Sequence, residues 1–237
     1  MSKILAANFK TNHTREITKK YVENLDRFLS EIGYSDDLYL FPPFTALDRF
    51  DLKNSIQIGT QNGYPVVSGS FTGEIGLQQL EEFNIKTILI GHSERRHLLG
   101  ESQKSIAKKY AWFAEKGFNI FYCIGEPLEV REAGLSEVDR YLKDQLEGID
   151  TSYDNLIVAY EPVWAIGTGK SATPDLIEST HSKIKELIDK PLLYGGSVKP
   201  QNIKEILSVE ACDGALIGTA SWDVSSMCEM VKIAKNL

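Results

Sequence analysis

The chain has 237 residues, 42% of them apolar and 25% charged, a balance suited to a water-soluble protein with a sizeable core. Its formal net charge of −7 argues against a general affinity for nucleic acid or for anionic membranes, so an anionic ligand has to be held by a local positive site. Cys123, Cys212 and Cys228 form no C-x-x-C pair, which speaks against a disulfide framework and a zinc site and fits a reducing compartment. The N-terminal run MSKILAANFK is too short for a signal peptide and no segment approaches a membrane span, so the expectation is a cytoplasmic protein.

Short apolar runs recur along the chain, at 4–9, 38–41, 56–59, 87–90, 120–124, 156–160, 191–194 and 215–217. Most have the near-continuous apolar character of strands buried on both faces. Helical patterns lie between them. The first puts Ile17, Tyr21, Leu25, Phe28 and Ile32 on one face; the next repeats this with Ile106, Tyr110 and Phe113 and stops at Gly117. A third starts with Thr173 as cap and Pro174 in the first turn. Shorter helices are expected at 46–50 and 203–207. Eight such alternations predict a closed (β/α)8 barrel, one domain spanning 1–237, rather than an open doubly wound sheet.

In a barrel of this kind function gathers where strands end. Asn8 and Lys10 close the first strand, two residues apart and so on the same side, facing the interior. Lys10 there offers a cation to an anionic substrate. His92 follows the fourth strand, and a helix beginning at Ser93 would disfavour its imidazolium, leaving a neutral electrophile. Its neighbours Glu94, Arg95 and Arg96 read as supporting ion pairs. Gly195, Gly196 and Ser197 after the seventh strand, with LIGTAS after the eighth, stand where phosphate sites are frequent in this architecture. No Walker or G-x-G-x-x-G pattern is present, which argues against a nucleotide.

The run AYEPVWAIGTGK sets Glu161 at the end of an apolar strand. The residues after it, Pro162, Val163, Trp164, Ala165, Ile166, Gly167, Thr168, Gly169 and Lys170, read as a lid with a stiff hinge. A surface loop after an incidental glutamate is the plain alternative.

Taken together, NFKTN, GHSERR, CIGE, AYEPVWAIGTGK and YGGSV resemble the motifs of the triosephosphate isomerase family, and GSFTGEI at 69–75 resembles its third loop. The likeness runs from Asn8 to about Ser221. It implies a TIM barrel that interconverts dihydroxyacetone phosphate and D-glyceraldehyde 3-phosphate without metal or organic cofactor. Glu161 then matches the general base, His92 the electrophile, and Lys10 the cation that binds substrate and steadies the enediolate, with Asn8 beside it. Gly167, Ser197, Gly218 and Thr219 match positions whose amides hold the phosphate, while Cys123 and Glu126 match residues that support the site. The resemblance also implies a homodimer in which Thr72 approaches the partner's Lys10 and Asn8, its loop bearing Tyr64, Pro65, Val66 and Val67. Two departures stand out: Phe9 replaces a usual tryptophan, and Thr219 replaces a glycine whose loss is expected to crowd the phosphate. The competing readings are another phosphate-binding barrel with a different acid–base set, and a non-catalytic phosphate-ligand binder on the same fold.

Overall fold

Every strand is parallel to its neighbours. In the computed structural model, which describes residues 3–166 and 172–237, the strands are β1 (Ile4–Asn8), β2 (Leu38–Phe41), β3 (Ile56–Ile58), β4 (Thr87–Ile90), β5 (Asn119–Ile124), β6 (Leu156–Tyr160), β7 (Leu192–Tyr194) and β8 (Gly214–Ile217). Their order is β3-β2-β1-β8-β7-β6-β5-β4. A parallel bridge between Thr60 and Ile88 joins the two ends, so the sheet closes into the expected barrel.

Around it lie α1 (Arg15–Ile32), α2 (Leu77–Glu82), α3 (Ser93–His97), α4 (Gln103–Glu115), α5 (Leu128–Glu132), α6 (Leu135–Asp144), α7 (Pro174–Leu187), α8 (Ile203–Leu207) and α9 (Val224–Lys235). The caps follow from local chemistry. The Thr173 side chain accepts the Leu176 amide with Pro174 in the first turn of α7, and Gly117 beyond α4 has φ +73°. Two expectations need correction. The 46–50 helix is instead a 3-10 turn at Phe44–Ala46: Pro43 fixes the approach, and Leu47 turns extended (ψ 134°), freeing Asp48 to accept the Arg49 amide and pair with Arg15. Ile17 is 49% exposed; the face of α1 that packs inward runs through Thr18, Tyr21, Val22, Leu25 and Leu29.

Two apolar layers result. The outer one lies between strands and helices and includes Tyr110, Phe113, Ile120, Ile177 and Met230. The inner one fills the barrel with Ala6, Tyr39, Phe41, Leu89, Phe121, Cys123, Ala159, Leu193 and Leu216. Phe121 meets Tyr39 and Phe41 edge-on, with ring centroids 4.7 and 5.2 Å away.

The two-residue side-chain period of a strand decides what comes next at the C-terminal rim. Two positions beyond the inward Ala6, Leu89, Cys123, Ala159, Leu193 and Leu216 stand Asn8, Gly91, Gly125, Glu161, Gly195 and Gly218. Glycines at four of these six positions stop the filling and leave room above the core.

On the helix side, His181 is fully buried, with Nδ1 3.2 Å from the Ala211 carbonyl and Nε2 without a partner. Burial pushes its pKa down to about 4. A histidine whose folded pKa is depressed binds fewer protons folded than unfolded, so its contribution is intact above pH 6.5 and is lost as pH falls toward 4. Between pH 7 and pH 4.5 this loss is worth about 2 kcal/mol. Urea titrations should show the pH dependence of stability over that range shrinking by roughly this amount in His181→Gln; equal slopes in the two proteins would contradict it.

Candidate active site

Glu161 follows β6 and is 2% exposed. A buried carboxylate is tolerated only when donors replace water. Here Oε2 accepts the Ser93 amide at 2.9 Å, and Oε1 lies 3.0 Å from Nε2 of His92. Its surroundings are cut to fit. A Cβ at Gly125 would stand 1.7 Å from the Glu161 carbonyl oxygen, and one at Gly195 would stand 2.9 Å from its Cγ.

His92 caps α3 and its Nδ1 accepts the Glu94 amide at 3.2 Å. In that arrangement the ring hydrogen sits on Nε2, the nitrogen that faces Glu161. Burial pushes the imidazole pKa down, but the charge and hydrogen bond of Glu161 outweigh it and set His92 above its ordinary value. Burial likewise raises Glu161, and His92 with the Ser93 amide outweighs it in the other direction, so the carboxyl stays below its usual range. The expected disfavouring of imidazolium is therefore overridden while Glu161 leans on the ring. The same charge, added to full burial, keeps the Cys123 thiol well above its usual value.

Lys10 adopts φ +53°, a conformation uncommon outside glycine. It is clamped there: Asn8 Oδ1 accepts its amide at 3.0 Å and Gln61 donates to its carbonyl at 2.8 Å. The ammonium lies 2.5 Å from Glu94 Oε1, and its Cε would lie 3.4 Å from a Cβ at Gly218. Lys10 thus stands between Glu94 and the turn after β8. Arg95 pairs with Glu101 at 2.9 Å, whereas Arg96, read as an ion-pair partner, instead donates to the carbonyls of Gly91 and Cys123 at 2.6 and 3.1 Å.

These groups share one cavity of about 350 Å³. Asn8, Lys10, His92 and Glu161 line it together with Gly195, Ser197, Lys199, Gly218 and Thr219. Ser197 spends its hydroxyl on the Ala165 carbonyl at 2.8 Å, so only its amide is left for a ligand. Thr219 opens a 3-10 turn and is exposed.

The first part of the lid stretch is a 3-10 turn at Val163–Ala165. Glu126, fully buried, accepts Trp164 Nε1, Tyr160 OH and Arg131 Nε on Oε1 at 3.0, 3.0 and 2.8 Å. On the far side the Ala172 amide donates to Tyr194 OH at 3.2 Å. Gly167, Thr168, Gly169 and Lys170 lie outside the described residues. Among the described residues no group of three or more His, Cys, Asp or Glu could hold a metal ion. Gln61, Arg131, Tyr160 and Tyr194 were not anticipated. Each works through a strand or loop contact distant in sequence, and no local pattern marks it.

The family model for triosephosphate isomerase matches residues 3–234. The chain belongs to the triosephosphate isomerase family. Relatives named triosephosphate isomerase include that of a Nitratiruptor species, 56% identical over 234 residues and 99% of both chains, and that of Wolinella succinogenes, 57% identical over 229 residues, 97% of this chain and 99% of the other. That of a Sulfurovum species is 57% identical over 228 residues, 96% of this chain and 99% of its own.

A second cavity of about 370 Å³ shares Asn8, Lys10 and His92 and continues past Gln61 and Glu94 to Leu99 and Trp222. Leu98 and Leu99 beside it are 79% and 66% exposed. Thr72, on the third loop, is exposed, as are Phe71 at 43% and Val67 at 52%.

Proposed function

We infer that the protein is a triose-phosphate isomerase interconverting dihydroxyacetone phosphate and D-glyceraldehyde 3-phosphate through an enediolate, a glycolytic and gluconeogenic step. The observation that carries this reading is the meeting of Glu161, His92 and Lys10 in one cavity that the glycine-bearing loops after β7 and β8 also line.

The chemistry follows from the geometry. A proton next to a carbonyl is removed only when a base is placed against the carbon and a donor meets the oxygen where charge develops. Glu161 is the base and carries the proton between the two carbons. His92, with Nδ1 tied to the Glu94 amide, presents Nε2–H to the substrate oxygen. When Glu161 turns from the ring to the substrate carbon, the charge that raised His92 moves away. Burial then acts against the imidazolium, which suits a neutral donor. Lys10 supplies positive charge for the enediolate, and Asn8 holds its amide. The amides of Ser197, Gly218 and Thr219 take the phosphate; Gly167 is assigned the same role from family likeness. Cys123, Glu94 and Glu126 hold these groups in place, Glu126 by gripping Trp164. Thr219 sits at the cavity with its side chain exposed, an arrangement that leaves the amide free to serve. This mechanism calls on no cofactor.

We further propose one domain over 1–237, a cytoplasmic setting and a homodimer. The three free cysteines fit a reducing compartment. No helix among the described residues is long and apolar enough to cross a membrane. For the dimer, the support is the exposed third loop with Phe71 and Val67 and the cavity beside Lys10 edged by the exposed Leu99, two surfaces suited to cover each other in a second copy. Thr72 of one subunit would then approach the partner's site.

Two measurements test this. Conversion of D-glyceraldehyde 3-phosphate, followed by coupled NADH oxidation, should be fast in the wild type and fall about a hundredfold or more in Glu161→Gln with folding unchanged; turnover within a few fold of wild type would remove Glu161 from the base role. Sedimentation should give twice the 26.5 kDa chain mass and a shift toward one chain for Phe71→Asp; a wild type sedimenting as one chain would dismiss the dimer.

A further inference from the structure

Two of the loops that line the cavity are distant in sequence. One follows β1 and carries Lys10; the other is the 3-10 turn Thr219–Ser221 after β8. That turn is braced internally. Ser221 Oγ donates to the Gly218 carbonyl at 2.7 Å and its amide does so at 2.9 Å, while the Trp222 amide donates to Thr219 at 3.2 Å. It therefore behaves as one unit, and what matters is where the unit stands relative to Lys10. Among the described residues, one hydrogen bond joins the loop of Lys10 to this turn: His13 Nε2 lies 2.9 Å from the Trp222 carbonyl, across 209 positions of sequence.

His13 is built into its place. It is 5% exposed, its ring centroid is 4.3 Å from that of Phe9 and 5.4 Å from that of Tyr21. A carbonyl oxygen only accepts, so the ring hydrogen is on Nε2, and Nδ1 is left buried without a partner. Burial also pushes the His13 pKa down, which keeps the ring in this neutral form. Upstream, the Asn12 amide donates to the Phe9 carbonyl at 3.1 Å, so Phe9–His13 is a short tight segment with Lys10 inside it. Phe9 is the surface against which the imidazole packs.

We propose that His13 is a positioning residue for phosphate recognition: its bond to the Trp222 carbonyl fixes the Gly218 and Thr219 amides at the distance from Lys10 that one bound phosphate ester requires. The proposal rests on the triose-phosphate reading of the same cavity. A dianion held at once by amides on one loop and influenced by an ammonium on another is bound well only if both are preset. Releasing the turn weakens the grip on substrate and transition state alike, so KM should rise more than kcat falls.

The test compares His13→Phe, which keeps an aromatic ring between Phe9 and Tyr21 but has no donor, with His13→Gln, whose amide restores one. KM and kcat for D-glyceraldehyde 3-phosphate are measured, together with the Kd of inorganic phosphate by calorimetry and the melting temperature. His13→Phe should raise both KM and the phosphate Kd by about tenfold, the scale of one ordinary hydrogen bond, with a smaller change in kcat, and His13→Gln should recover most of this. Wild-type KM and phosphate affinity in His13→Phe would overturn the proposal, and a lowered melting temperature with both constants unchanged would do so equally by leaving His13 a purely structural role. If His13→Phe does not fold, His13→Asn, whose amide is too short to reach Trp222, takes its place with the same expected rise. A wild type without turnover would sink the functional reading; a wild type that turns over beside an indifferent His13→Phe would sink only this one.

Discussion

A carboxylate closed in at the end of an apolar strand loses its water, and the loss has to be met by fixed donors. For Glu161 these are the Ser93 amide and His92 Nε2, both from the segment that opens α3. That pairing sets demands on the rest of the rim. α3 has to begin at Ser93, so that its first amides point at the carboxylate. β5 and β7 have to continue into Gly125 and Gly195, because a side chain at either would strike Glu161. His92 in turn needs the Glu94 amide on its far nitrogen to keep the hydrogen on the near one. One buried charge thus dictates a helix start, two glycines and a histidine tautomer.

The same pair sets the state of the imidazole. With Glu161 against it, the ring is drawn above its ordinary pKa although burial pushes it the other way. Around this pair the neighbouring segments are tied down. Glu126 holds Trp164 on the chain leaving Glu161, Ser197 holds the Ala165 carbonyl, and Tyr194 holds the amide of Ala172. Lys10 keeps a costly backbone conformation because Asn8 and Gln61 occupy its amide and carbonyl. The rim is clamped around the residues to which chemistry is assigned.

Much of this was readable from sequence because it is periodic or local. Buried parallel strands write themselves as apolar runs, and the two-residue step from Ala159 to Glu161 or from Ala6 to Asn8 carries a core residue into a rim residue without further information. Caps at Thr173 and Gly117 are equally local. What escaped the sequence depends on partners far along the chain. The state of His92 follows from Glu161, two strands later, and a helix-start argument alone points the wrong way while that carboxylate leans on the ring. Ser197 looks like a ligand group until its hydroxyl is found on Ala165. The short α2 and α5 carry too few apolar positions to show a stripe, and the turn at Phe44–Ala46 is a product of Pro43 and of Asp48 finding Arg15. His13 shows no motif; only barrel closure sets it beneath Trp222.

The central claim is that the charge of Glu161 governs the protonation of His92. Nuclear magnetic resonance titration of the labelled His92 imidazole, in the wild type and in Glu161→Gln, measures this directly. With Glu161 charged, His92 should titrate above its ordinary value, and in the variant, where burial is opposed by Glu94 but no longer by Glu161, its pKa should fall. A His92 that titrates at the same pH in both proteins would contradict it.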